Sequence, residues 1–108
     1  MANTLATYRV NNRDYRERLE KAAYILKAVS HPVRLAIIDL LEEKEQLNVN
    51  EICEVLECEQ SFISHHLINL KLRGILQSSR DGLNMYYALK ERDVTKIVNC
   101  IENCGCVM

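Results

Sequence analysis

Two stretches of this 108-residue chain concentrate the side chains that could bind a metal or act on a substrate. "EICEVLECEQSFISHHLINL", residues 51–70, carries Cys53, Cys58 and the adjacent pair His65 and His66. "CIENCGC", residues 100–106, carries Cys100, Cys104 and Cys106. Five cysteines are an odd number, and the start of the chain, "MANTLATYRVNNRDYRERLE", has no cleavable signal pattern, so reduced thiols are expected over a disulfide framework. Neighbouring residues on a helix point roughly 100° apart, so His65 and His66 cannot chelate one ion together. No acid or nucleophile stands where it would make either histidine catalytic. In the tail, Cys100 and Cys104 stand at i, i+4 on one helical side, and a helix ended by Gly105 can fold Cys106 back toward them. Three soft sulfur ligands suit a thiophilic ion: arsenite in trigonal geometry, or cadmium, lead or zinc with a fourth ligand. A disulfide or polysulfide among the same thiols, and a frayed tail that senses nothing, are the other readings.

These residues have to be held by helices, because helical spacing runs through most of the chain. In "YRERLEKAAYILKAVS", Leu19, Ala22, Ala23, Leu26 and Val29 predict an amphipathic first helix over 15–29. "SHPVRLAIIDLLEE" predicts a second, with Pro32 at a first helical position. Its apolar set (Leu35, Ile37, Ile38, Leu40, Leu41) is too broad for a surface stripe, so this helix should be central to the core. "NVNEICEVLE" reads as a short helix capped by Asn48 or Asn50 and ending near Cys58. It puts Glu51, Glu54 and Glu57 on one side and Ile52, Val55 and Leu56 on another. "QSFISHHLINLKLRG" aligns Ile63, Leu67 and Leu70 on one face and stops at Gly74. A short helix, a tight turn and a second helix make a helix-turn-helix over 48–74.

The period then changes. "ILQSSRDGLNMYYALK" has two short apolar and aromatic runs on either side of Asp81-Gly82, which predicts a hairpin over 75–89, placed as a wing after the recognition helix. "ERDVTKIVNCIENCGC" sets Val94, Ile97, Val98 and Ile101 along a last helix within 90–104. Residues 1–14 form an N-terminal arm, with disorder as one reading. Residues 1–108 are expected to be a single domain, since this length with 48% hydrophobic content suits one core. The expected fold class is mainly α with a small β-hairpin wing, a winged helix-turn-helix. It is expected to be dimeric, because the stripes over 15–29 and 90–104 exceed what one short domain can bury alone.

Net charge is only −1, but it is unevenly spread. Residues 39–59 hold eight acids against Lys44 alone, a local −7, whereas residues 60–90 hold Lys71, Arg73, Arg80 and Lys90 against Asp81, a local +3. That asymmetry suits a polyanion partner and equally suits ordinary solvated faces. No apolar run is long enough to cross a bilayer, so the chain is expected to be soluble and cytoplasmic, with no membrane partner.

"LKAVSHPVRLAIIDLL", "EICEVLECEQSFISHHLINLKLRGIL" and "RDGLNMYYAL" together resemble the ArsR/SmtB winged-helix repressors of bacteria, in order and without large insertions, over roughly residues 19–90. The resemblance implies a homodimeric repressor that binds double-stranded operator DNA and lets go when an inducer binds, with the first and last helices forming the dimer interface. It also implies packed roles for Cys53 and Cys58, in keeping with free cysteine as a small buried hydrophobe. The arsenic-sensing branch carries a "CVC" triplet where this chain reads Asn48-Val49-Asn50. The zinc-sensing branch uses Asp and His across the last helix, where this chain has Asp93 and no histidine. Persulfide-sensing relatives carry a cysteine in the second helix, which here reads "IIDLL". Some relatives bind arsenite through C-terminal cysteines, which makes Cys100, Cys104 and Cys106 the candidate inducer ligands.

With Ile63 and Leu67 inward, Ser61 and His65 point outward, Ser64 and Ile68 lie beside them, and His66 turns to the core. Gln60, Ser61, Ser64, His65 and Ile68 are therefore the candidates for base edges in a major groove. Lys71, Arg73 and Arg80 are the candidates for phosphates. An enzyme is not expected: there is no phosphate loop and no "HExxH", and the histidines are confined to positions 31, 65 and 66. No cofactor is required. The expected function is a repressor released by a thiol-directed inducer such as arsenite. A redox- or polysulfide-responsive repressor and a protein-binding winged helix without an inducer are the alternatives.

Overall fold

Three of the helices begin where a side chain satisfies an amide that a first turn leaves without a partner. In the computed structural model, which describes residues 12–103, Asn12 caps α1 (Arg13–Ala28) by accepting from the Tyr15 amide at 3.0 Å. His31 opens α2 (Pro32–Lys44) the same way: its Nδ1 accepts from the Val33 amide at 3.1 Å, and Pro32 takes the first helical position. Asn48 heads α3 (Val49–Leu56) in a reciprocal box. Its side chain accepts from the Glu51 amide at 2.8 Å, while the Glu51 carboxylate accepts from the Asn48 amide at 2.9 Å.

The two junctions that follow are closed by the same device. Past α3, Glu57 is left-handed at φ 53° and the Cys58 amide donates back to the Cys53 carbonyl at 3.2 Å. Past α4 (Gln60–Leu72), Gly74 sits at φ 83°, and the amides of Gly74 and Ile75 donate to the carbonyls of Lys71 and Leu70, both at 3.0 Å. Chain direction is thus fixed before and after α4, which is the second helix of the expected helix-turn-helix.

β2 (Leu76–Asp81) and β3 (Asn84–Leu89) form the wing, with Asp81 opposite Asn84. The turn residues are therefore Gly82 and Leu83, one position later than the sequence reading, with Gly82 at φ 67° in the first central place of a type II′ turn. The sheet also has a strand the sequence reading lacked. β1 (Gln46–Asn48) pairs with β3 antiparallel, giving the order β1-β3-β2. Three residues are too few to show alternation, so β1 left no periodic signal. α5 (Asp93–Asn103) follows the wing.

α2 lies at the centre, as expected: Ile37, Ile38 and Leu41 are buried against Ile52 of α3, Ile63, Leu67 and Leu70 of α4, and Val94 and Val98 of α5. α1 departs from expectation. Of its expected stripe only Val29, just past the helix, is buried; Leu19 and Leu26 are exposed, and Ile25 and Ala28 reach the core instead. The core-facing side is rotated from the wider apolar stripe: its buried positions, Ile25 and Ala28, lie in the C-terminal part of α1, while Lys21 in the middle pairs with Glu91 and Asp93. Arg13 and Asp14 are helical, so α1 begins inside the arm expected over 1–14; residues 1–11 lie outside those described. No helix among the described residues is long and apolar enough to cross a membrane.

Candidate nucleic-acid interface

The packing of α4 separates its two sides. Ile63, Leu67 and Leu70 are fully buried and His66 is 5% exposed. On the opposite side Gln60, Ser61, His65, Ile68 and Lys71 are exposed and Ser64 is half-buried. Ser61, His65 and Ile68 follow i, i+4, i+7, so they stand in one row along the outer surface. The structure thus brings the expected base-reading residues together on one face.

The expected phosphate ligands are less uniform. Lys71 is exposed near the end of α4, and Arg80 is exposed on β2 opposite Met85 of β3. Arg73 is half-buried: its Nε donates to Asn69 Oδ1 at 2.9 Å, and its carbonyl accepts from the Tyr24 hydroxyl of α1 at 3.2 Å. Leu83 at the wing tip is 98% exposed.

The inner face carries one polar side chain, His66, and it has a defined partner. His66 Nδ1 accepts from Arg34 Nε at 3.0 Å, and Arg34 Nη1 donates to the Ala28 carbonyl at the end of α1 at 2.8 Å. Arginine has only donors, so Nδ1 carries no proton and the neutral ring holds its proton on Nε2. The His66 ring lies 4.5 Å from that of His31, 4.8 Å edge-on from Phe62 and 5.5 Å from His65, centroid to centroid. Burial pushes the His66 pKa below its ordinary 6.5, and the neighbouring His31, Arg34 and His65 push it the same way. Burial, then the charge of Arg73, lowers the pKa of Arg34.

Arg34 and Phe62 were not singled out in the sequence. A signal for Arg34 was present: it falls on the same helical row as Ile37, Ile38 and Leu41, and a cation on a core row needs an acceptor inside.

The thiols divide as expected in part. Cys53 and Cys58 are half-buried against the core. Burial, with Cys58 adding to it, pushes the Cys53 thiol pKa up, and Cys58 Sγ donates to the Leu56 carbonyl at 3.3 Å. Cys100 is exposed on α5, whereas Cys104 and Cys106 lie outside the described residues. Among the described residues no three His, Cys, Asp or Glu side chains form a group that could hold a metal.

The pattern that describes bacterial regulatory proteins of the arsR family matches residues 31–78. The transcriptional repressor PagR of Bacillus anthracis is 39% identical over 88 residues, spanning 78% of this chain and 87% of PagR. Among solved structures, the transcriptional repressor BigR from Xylella fastidiosa superimposes with a TM-score of 0.78 at 29% identity, covering 88% of this chain and 96% of BigR. Reduced HlyU from Vibrio cholerae gives a TM-score of 0.76 at 26% identity over 88% of this chain and 99% of HlyU.

Proposed function

This chain belongs to the arsR family of bacterial regulatory proteins, and we propose that it is a homodimeric transcriptional repressor that reads operator DNA through the outer face of α4 and is released by a thiol-directed inducer. The observation that carries the reading is the division of α4: one side sealed into the core by Ile63, His66, Leu67 and Leu70, the other exposing Gln60, Ser61, His65, Ile68 and Lys71 beside a wing that offers Arg80. A helix held in this way presents hydrogen-bonding groups to base edges while basic groups at its end and on the wing meet phosphates. Two copies joined through α1 and α5 would set two such helices against half-sites about 34 Å apart. The protein acts by binding alone, in the cytoplasm, with no catalytic step and no resident cofactor. Selecting duplexes from randomised DNA with the purified protein tests this reading; recovery of no preferred sequence, or binding that ignores salt, contradicts it.

For release, we propose that Cys100, Cys104 and Cys106 take the inducer, arsenite or another thiophilic ion. Support comes from their spacing in sequence and from Cys100, a free thiol exposed on α5, the helix assigned to the dimer interface. Thiolates must lose protons to bind, so induction by a metal weakens as pH falls. The test replaces all three cysteines by serine and measures release from the selected duplex with arsenite, cadmium and polysulfide. Loss of the response to the ions supports the proposal, and loss of the response to polysulfide alone favours the sulfur-responsive alternative. A triple variant released like the parent contradicts both.

A further inference from the structure

The Arg34 guanidinium hydrogen-bonds both the end of α1 and the buried side of α4. Its Nη1 holds the Ala28 carbonyl at 2.8 Å and its Nε holds His66 Nδ1 at 3.0 Å. We infer that Arg34 and His66 are positioning residues for DNA recognition, fixing α4 at one setting relative to α1 so that its outer face meets the groove in a single orientation. The inference rests on the proposed role of α4 in reading DNA.

The chemistry makes the tie directional and dependent on protonation. His66 is buried in the core beside α2, so the bond to Arg34 satisfies an acceptor that burial takes away from water. The ring also has Phe62 edge-on at 4.8 Å and His31, from the α1–α2 junction, tilted by 47° at 4.5 Å. The titratable and charged groups that face it are His31 from that junction, Arg34 from α2, with Arg73 beside Arg34, and His65 from α4 itself, all cationic or able to become so. A proton on Nδ1 would turn the acceptor into a donor pointing at a guanidinium. The tie then breaks, and the recognition helix loses the group that orients it.

The test compares the parent with Arg34→Met, His66→Leu and His66→Asn, whose side-chain oxygen stands where Nδ1 stands. Two readouts are used: affinity for a duplex selected by the parent protein, measured from about pH 7.5 down to about pH 5.5, and amide hydrogen exchange across α4 without DNA. Thermal unfolding first confirms that each variant is folded. Arg34→Met and His66→Leu are expected to weaken DNA binding about 10-fold or more and to speed exchange across α4. His66→Asn is expected to stay within about twofold of the parent at the higher pH and to lose the acid weakening that the parent shows relative to it. Parent-like affinity in His66→Leu, or a His66→Asn profile that follows the parent's, overturns the inference. If the parent selects no duplex, the DNA reading fails by itself, and hydrogen exchange decides the tie: equal protection of α4 in all four proteins overturns it.

Discussion

The helices α2, α3 and α4 bury their main apolar rows against one another, although Val55, Ile68 and Leu72 stay exposed on α3 and α4, whereas α1 leaves most of its apolar stripe open. Ile37, Ile38, Ile52, Ile63 and Leu67 are fully buried within the single chain, but Leu26 is 47% and Tyr24 49% exposed on α1. Between α1 and α5 runs a cleft of about 420 Å³ lined by Ala22, Ile25 and Ile97, with Lys21 of α1 reaching Glu91 at 3.4 Å and Asp93 at 3.6 Å. The helix-turn-helix thus has its core within a single chain, while α1 still presents an apolar row. A second copy of the chain seated on that surface fits the proposed roles: head for DNA, flanks for pairing.

Four perturbations break or sharpen this contrast. The largest effect is expected from Leu19→Glu with Leu26→Glu, which puts two charges on the open face of α1. Sedimentation at micromolar concentration should show the parent as a dimer and the variant as a monomer with unchanged helical circular dichroism; a parent of monomeric mass would remove the contrast altogether. Next is Leu67→Ala in the closed region, expected to cost about 2–5 kcal/mol in denaturant unfolding. A comparable loss in monomer stability from Leu26→Ala would mean that α1 is closed after all. Smaller again is Asn48→Ala, which removes one half of the α3 box and should cost about 1 kcal/mol in the same assay. The smallest is Lys21→Ala. Lys21 and Asp93 are solvent-exposed and Glu91 is half-buried, so the midpoint should move less than it does for Asn48→Ala at neutral pH.

Acid separates the two regions in another way. His66 is held neutral in the closed head with its pKa below 6.5, so below that value the unfolded chain binds a proton that the native chain refuses. Stability should therefore fall as pH drops from about 6.5 toward the lower native value, and His66→Asn should lack that part of the decline.

The closed region was the more legible of the two in the sequence. Its helices have clear start and stop signals and full apolar rows: Pro32 at a first helical position, a cap at Asn48 or Asn50 that the structure places at Asn48, and Ile63, Leu67 and Leu70 before Gly74 were each legible. The open region was harder, because an apolar stripe such as Leu19 to Val29 does not say whether it faces its own core or another chain. The core took Ile25 and Ala28 from α1 instead. β1 escaped notice because its pairing depends on β3, a partner some forty residues away in sequence. Within the site, the outer row of α4 was legible from helical geometry alone. The Arg34–His66 tie was not, because it joins residues 32 positions apart, and only the packed fold brings them to 3.0 Å.

The most direct test of the central claim, that the outer face of α4 and the wing meet DNA, is fluorescence anisotropy of His65→Ala and Arg80→Ala against selected and unrelated duplexes over a range of salt. His65→Ala should lose about 1–3 kcal/mol on the selected duplex and change sequence preference. Arg80→Ala should weaken binding to every duplex and lower the salt slope. If both variants bind the selected duplex with the parent's affinity, preference and salt dependence, the DNA-reading surface lies elsewhere.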